Sequence, residues 1–359
     1  MKLATDPKPV TLAFEDWRSI PSLDQELRTD LSCLAVIDDT IFVACDETAS
    51  IESLHRTGAG AFGEHQHIRL GDFFDLPDGA GGEMDIEGLA ADAGRLWIVG
   101  SHSLKREKAK RHERAAEASL EAMTEIKRDP NRYFLGYLPL EREPSGRWRP
   151  VAMSEGLEAA CLPMKKKSSR LIDWLEEDPH LAPFFAIPSK ENGFDIEGLA
   201  VKGSRVWLGL RGPVLRRQAA ILEFDFKTTG RGGLKARKID GERRYRKHLL
   251  DTGALGVRDL YRHGEDLLIL TGPTMAADGP ARILRWCNAT HHRRSGVIDP
   301  AGLNQLLDLP YRGDEDHPEG LHFLRSDGVD GLLVVHDSPS DQRLGSDPPQ
   351  LVCDLYPLA

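Results

Sequence analysis

Cysteine is scarce and scattered: Cys33, Cys45, Cys161, Cys287 and Cys353 are five among 359 residues, and no two form a C-x-x-C pair. This supports neither a zinc knuckle nor a disulfide framework. Reduced thiols fit best, so a cytoplasmic location is expected. No apolar run approaches the ~18 residues that a membrane-spanning helix needs. The opening stretch, Met1-Lys2-Leu3-Ala4-Thr5-Asp6-Pro7-Lys8-Pro9, lacks the apolar centre of a secretion signal. No Walker loop, G-x-S-x-G elbow or H-E-x-x-H helix occurs, and no G-x-G-x-x-G joins a strand to a helix. Positive charge is also short. Lys and Arg number 47 against 57 Asp and Glu, a formal charge of −10. That excludes the dominant basic face needed for sequence-independent nucleic-acid binding. With 40% apolar and 29% charged residues the chain is of globular composition, and its 34 Gly and 22 Pro predict many turns.

What the chain does carry is a repeat. Residues 85–98 read DIEGLAADAGRLWI and residues 195–208 read DIEGLAVKGSRVWL. Weaker copies are DLSCLAVIDDTIFV at 30–43, GVRDLYRHGEDLLI at 256–269 and HPEGLHFLRSDGVDGLLVV at 317–335. The starts are 55, 110, 61 and 61 residues apart. Each copy reads as a short strand, a polar turn and an apolar strand, with a third strand following. A repeat of this length with up to four antiparallel strands is a propeller blade. The expected fold is therefore all-β, a single closed β-propeller domain over residues 1–359 with five detectable blades. The 110-residue spacing leaves a sixth blade open. The N-terminal strand Val10-Thr11-Leu12-Ala13-Phe14 is expected to complete the last blade. Residues 103–128, rich in Ala, Glu, Lys and Arg without Gly or Pro, predict an inserted helix, and 155–180 predicts a second helical insertion.

The combination of DIEGLA at 195–200, VWLGLRGPVLR at 206–216 and Pro188-Ser189-Lys190-Glu191-Asn192-Gly193-Phe194 resembles domain-of-unknown-function family 3616, found in bacteria. The resemblance covers most of the chain and implies a propeller-like fold without an established activity. More distantly, D-x-E-G-L-A is similar to a motif of the esterase-like phytases and other calcium-dependent propeller hydrolases.

If the copies are blades, equivalent residues converge on one mouth. The Glu position of DIEGLA is occupied by Ser32, Glu87, Glu197, Arg258 and Glu319, and the Asp position by Asp30, Asp85, Asp195, Gly256 and His317. Residues i and i+2 of a strand share a face, so each Asp and Glu should project together. Carboxylates that converge raise one another's pKa, and a divalent cation would relieve them. Asp85, Glu87, Asp195, Glu197 and Glu319 are the expected metal ligands, with calcium the hard-oxygen choice. The second-strand exits add Asp46-Glu47, His102, Lys105-Arg106, Arg211, Arg216-Arg217 and His336-Asp337.

Arg is the bidentate partner of phosphate or carboxylate, so a small anionic ligand is expected. His102, Arg211, Arg258 and His336 are the catalytic candidates, for metal-dependent hydrolysis of a small anionic ester such as a phosphoester. A non-catalytic propeller that binds a ligand or protein through the same mouth is the competing function. No nucleic-acid or membrane partner is expected. Structural roles compete residue by residue. The Asp side chains could bond backbone N–H groups of the next blade, and Arg258 could neutralise Glu197 or Glu319. Trp97 and Trp207 read as wedges between blades, and Gly88, Gly198 and Gly320 as close-packing positions.

Overall fold

Every repeat copy must turn back on itself within two or three residues, and the backbone is chosen accordingly. Ala93 and Gly94 take left-handed φ values of 50° and 71°, the pair that lets a two-residue hairpin follow the strand twist. In the computed structural model, which describes residues 1–20, 26–109, 116–230, 232–276, 278–326 and 328–359, five antiparallel strand sets result. Their inner strands are Leu31–Ile37, Ile86–Asp92, Asp195–Lys202, Gly256–His263 and His317–Ser326. Each pairs with the next strand in sequence, and that one with a third. The first, third and fourth sets add a sequential outer strand. In the fifth set the N-terminal strand Lys8–Ala13 takes this place. It pairs antiparallel with Pro349–Pro357, from Lys8 opposite Leu355 to Ala13 opposite Gln350, and so ties the two ends of the chain together.

The inner strands lie against one another in chain order, and the fifth also lies against the first. The apolar side chains sort themselves in the same way, since each main cluster fills a seam between two sets. Trp97 of the second set packs 5.0 Å from the Tyr137 ring and 6.0 Å from Phe226 of the third. Trp207 of the third set lies among Leu260, Ile269 and Trp286 of the fourth. Val43 and Leu54 of the first set meet Leu333 and Val335 of the fifth. Both tryptophans are fully buried, as expected of wedges.

One irregularity recurs in all five sets. The register between the inner strand and its neighbour slips between Leu31 and Cys33, Ile86 and Gly88, Ile196 and Gly198, Val257 and Asp259, and Pro318 and Gly320. The residue left over is always the one at the Glu position: Ser32, Glu87, Glu197, Arg258 or Glu319. A β-bulge breaks the strict alternation of faces and re-aims a side chain. Asp85 with Glu87 and Asp195 with Glu197 do line one cavity, as expected, but the Glu of each pair is the bulge residue, so simple i, i+2 alternation is not what places it there.

The insertions differ from expectation. Of 103–128, the described residues hold a helix only at Ala116–Ala122, framed by the strand pair Lys105–Arg106 and Ile126–Lys127; residues 110–115 lie outside the described residues. Backbone pairing of Glu107 with Glu125 and the Arg106–Glu191 ion pair hold the ends as a hairpin, which overrides the local helical composition. Within 155–180 the α-helix is Arg170–Leu175, capped by the Ser169 hydroxyl accepting from the Ile172 N–H, and short strand pairs surround it.

The bulges require close approach of the inner strands. A Cβ added at Gly88 would lie 2.6 Å from the Leu199 Cβ and 2.8 Å from Val99 Cγ1. Gly88→Ala should therefore destabilise the protein by about 1–3 kcal/mol, as overpacking does. Urea unfolding measures this, and an unchanged midpoint would contradict the packing described.

Candidate functional site

The five bulge residues line one cavity of about 480 Å³ at one end of the inner strands. The residue that follows the bulge is glycine on three of the strands, Cys33 on the first and Asp259 on the fourth. Gly88, Gly198 and Gly320 all have neighbouring side-chain atoms within 2.8 Å of where a Cβ would stand. The fourth strand departs from this pattern with Asp259. Its buried carboxylate accepts the Leu260 N–H and, from the next inner strand, the Leu321 N–H, both at 2.7 Å. Burial nevertheless pushes its pKa well above the usual range, against the hydrogen bonds from Leu321, Leu260 and Leu199.

Five arginines line the cavity, and all five meet carboxylates, Arg106 with Glu191 and Arg312 with Asp316. Arg211 Nη1 donates to Glu197 Oε1 at 2.7 Å and lies 3.9 Å from Asp195. Arg258 Nε stands 3.1 Å from Glu197 Oε2, and its Nη2 pairs with Glu319. Arg132 Nη1 lies 2.7 Å from Asp85 Oδ2, and Arg132 also pairs with Glu83. Burial opposes the charge of Arg132 and Arg211, but Asp85 and Glu83, and Glu197 and Asp195, outweigh it and raise both pKa values. Arg258 is lowered, chiefly by its own burial.

The acids outnumber these partners. Glu87 makes no ion pair or side-chain hydrogen bond with a described residue. Burial, and then the charges of Glu197, Asp85, Asp195 and Asp46, push its pKa well above the carboxylate range. Asp195 is raised in the same way, by burial and Glu197, against Arg211. Asp46 is pushed up to about 8 by burial and by Asp85, Asp337, Asp30 and Glu47. The cavity thus gathers acids that repel one another, part matched by arginine and part with pKa values pushed upward.

Asp85, Glu87, Asp195, Glu197 and Glu319 all line the cavity, as do Arg211 and Arg258. The five carboxylates are not assembled as a ligand set. Among the described residues no group of three or more His, Cys, Asp or Glu stands close enough to hold a metal ion. Arginines occupy Asp85, Glu197 and Glu319 instead. The two histidines are not at the mouth. His102 is 3% exposed, donates through Nδ1 to the Gly100 carbonyl at 2.9 Å and packs on Tyr133, and burial lowers its pKa to about 4. His336 is buried beside Arg343 and Asp354, and burial lowers it to about 4 as well. Both side chains turn into the packing between strands, so neither reaches the cavity from its exit position.

Residues without repeat equivalents were missed. Arg132 reaches the cavity from the 3-10 turn Pro130–Tyr133, which follows the insertion. Met275 and Tyr311, 54% and 61% exposed, stand on its lip. Asp259 had a legible signal, because it replaces the glycine that follows the Glu position in three of the copies.

The chain belongs to the family described as protein of unknown function (DUF3616), whose profile matches residues 30–354. No curated protein matches the sequence. Solved structures are similar at a coarse level. An engineered GH43 glycoside hydrolase with endo-xylanase and exo-arabinofuranosidase activity is 10% identical at TM-score 0.39, over 97% of this chain and 52% of that one. An exo-1,5-alpha-L-arabinanase from a bovine ruminal metagenomic library is 10% identical at TM-score 0.38, over 92% and 94%. A xylan beta-1,4-xylosidase from Bacillus halodurans C-125 is 9% identical at TM-score 0.38, over 92% and 54%. The chain spans about half the length of the first and third of these. Likeness at this level assigns no chemistry.

The raised Asp46 has a direct consequence for stability. Between the ordinary Asp value near 4 and its folded value of about 8, the folded chain holds a proton that the unfolded chain releases. Stability must fall as pH rises through that window and level off above it. Asp46→Asn should flatten the slope by up to about 1.4 kcal/mol per pH unit. Denaturant melts from pH 5 to 8.5 measure it, and parallel curves for both proteins would contradict the assignment.

Proposed function

We propose that residues 1–359 form a single closed five-bladed β-propeller and that its axial cavity is a hydrolase site working by acid–base chemistry. Ring closure is supported by the contact of the fifth inner strand with the first and by the apolar seam between those sets.

The observation that carries the chemistry is a pair of carboxyl groups at equivalent bulges on neighbouring inner strands, in opposite surroundings. Glu197 is gripped by two guanidinium groups, those of Arg211 and Arg258. Glu87 has no such partner and is driven toward its neutral form by burial and by Glu197. One carboxyl group paired with arginine and one without such a partner can divide the roles of general base and general acid. A water held at Glu197 loses its proton to that carboxylate as its oxygen attacks the electrophilic centre. The bond to the leaving oxygen breaks as Glu87 delivers its proton there. Proton exchange with solvent then resets both groups. Arg211 and Arg258 hold the base in place.

A calcium-assisted phosphoester hydrolase has less support. The arginines that would grip a phosphate are already paired, and the acids are not grouped around a common centre. The binding-module alternative uses the same cavity and differs only in turnover.

A screen of chromogenic esters and glycosides separates these readings. Turnover by the wild-type protein, reduced about 10²–10⁴-fold in Glu87→Gln and in Glu197→Gln, is the expected result. Circular dichroism confirms that the variants are folded. Turnover that survives Glu87→Gln would contradict the assignment of the acid. Ligand binding without turnover of any substrate would favour the binding module.

A further inference from the structure

We propose that the axial cavity recognises a ligand bearing a positively charged nitrogen, an amine or guanidine rich in hydrogen-bond donors, whose charge sits against Asp30, Asp46, Glu47 and Asp337. This rests on the reading that the cavity is the ligand site, and not on the hydrolysis assigned to it.

The backbone sets these four carboxylates side by side. Leu31 pairs with Cys45, so Asp30 and Asp46 continue that pairing beyond the strand ends. On its other side Asp30 forms a bridge with Asp337, where the Ser338 N–H donates to the Thr29 carbonyl at 2.9 Å. All four residues line the cavity. None makes an ion pair with a described residue, whereas Arg132, Arg211 and Arg258 are each matched by carboxylates. The cavity is therefore uneven in charge: its arginines are matched by acids, whereas these four acids are matched by no arginine, and Lys105, Lys108 and Lys190 also belong to its lining.

Buried acceptors without donors are a second and separate observation. Glu197, 1% exposed, lines the cavity, and its Oε2 is ion-paired to Arg258 Nε at 3.1 Å without a hydrogen bond. Asp46 Oδ1 is likewise buried without a donor. A buried acceptor left so costs about 1–3 kcal/mol, which a ligand N–H would offset. An anion brings no donors and meets the acid wall with the wrong sign, which reverses the expectation of an anionic ligand. Calcium needs about 6–8 oxygens at roughly 2.3–2.6 Å, and the described residues supply no such group. An extended organic cation needs only acceptors distributed along a cavity, and a volume of about 480 Å³ suits a small molecule.

A bound cation must also change the protonation of this wall. Asp46, held at about 8 and faced by Asp85, Asp337, Asp30 and Glu47, carries a proton at pH 7. Seating a cation beside it favours the ionised form and expels that proton.

Titration calorimetry of the whole protein with putrescine, at pH 7 in two buffers of different ionisation enthalpy, tests the proposal. The expected result is a single site with net proton release and affinity that rises from pH 6 to 8. It should weaken at least tenfold in Asp337→Asn and in Asp46→Asn. 1,4-Butanediol, of similar length and uncharged, should not bind. The wild-type proton release keeps the test decisive if a variant misfolds. Putrescine binding that is absent, or non-stoichiometric and unchanged in both variants, would overturn the proposal. Binding of calcium chloride or sodium phosphate in its place would also overturn it. Site-specific putrescine binding without turnover of any substrate would sustain this inference while removing the hydrolase reading.

Discussion

On three inner strands the close approach of neighbours leaves one position almost no room for a side chain, and the bulge before that position recurs on all five. Gly88, Gly198 and Gly320 meet the crowding by having no Cβ. The preceding residue cannot stay in register and becomes a bulge. Its side chain is delivered to the cavity instead of to a seam. The same backbone device, repeated five times, turns a packing problem into a ring of Ser32, Glu87, Glu197, Arg258 and Glu319 around a common space. Asp259 is the one acid at the crowded position itself, and it is held there by backbone N–H groups of two neighbouring inner strands.

Once acids are gathered in a site of low dielectric, their mutual repulsion has to be relieved. Two means are visible. Arginine relieves Asp85, Glu197 and Glu319, and the Arg258 guanidinium spans the third and fifth sets to do so. Glu87, Asp195 and Asp46 instead have their pKa values pushed upward, so that protonation is the relief open to them. The division between the two means is what gives chemically similar carboxyl groups different states, and both functional proposals draw on it. A ligand cation would add a third means at the wall where arginine is missing.

Much of this was legible in the sequence because propeller strands repeat. The DIEGLA copies located the inner strands, and Trp97 and Trp207 were placed as wedges from their equivalent offsets. The five residues at the Glu position were placed around one mouth. The bulge was not legible, because a period of two assumes an unbroken strand and nothing local marks the slip. His102 and His336 were misplaced for a related reason. Exit residues were assumed to face the mouth, but His102 adopts a φ of 57° and turns its ring back toward the Gly100 carbonyl. Arg132 lies outside any repeat copy, so equivalence could not find it. The charged insertion read as one helix because composition reports local preference, whereas Arg106–Glu191 and the Glu107–Glu125 backbone pairing are contacts made across the fold.

The central claim is that the bulges bring Glu87 into an acid-crowded cavity where its pKa is pushed well above the ordinary carboxylate range. Carbon-13 NMR of the side-chain carboxyl carbons, with Glu87 assigned by comparison with Glu87→Gln, reads this directly. The account predicts a Glu87 carboxyl resonance whose titration midpoint lies well above the ordinary glutamate value. A Glu87 carboxyl already ionised at pH 7 and titrating near its ordinary value of about 4.3 would contradict it.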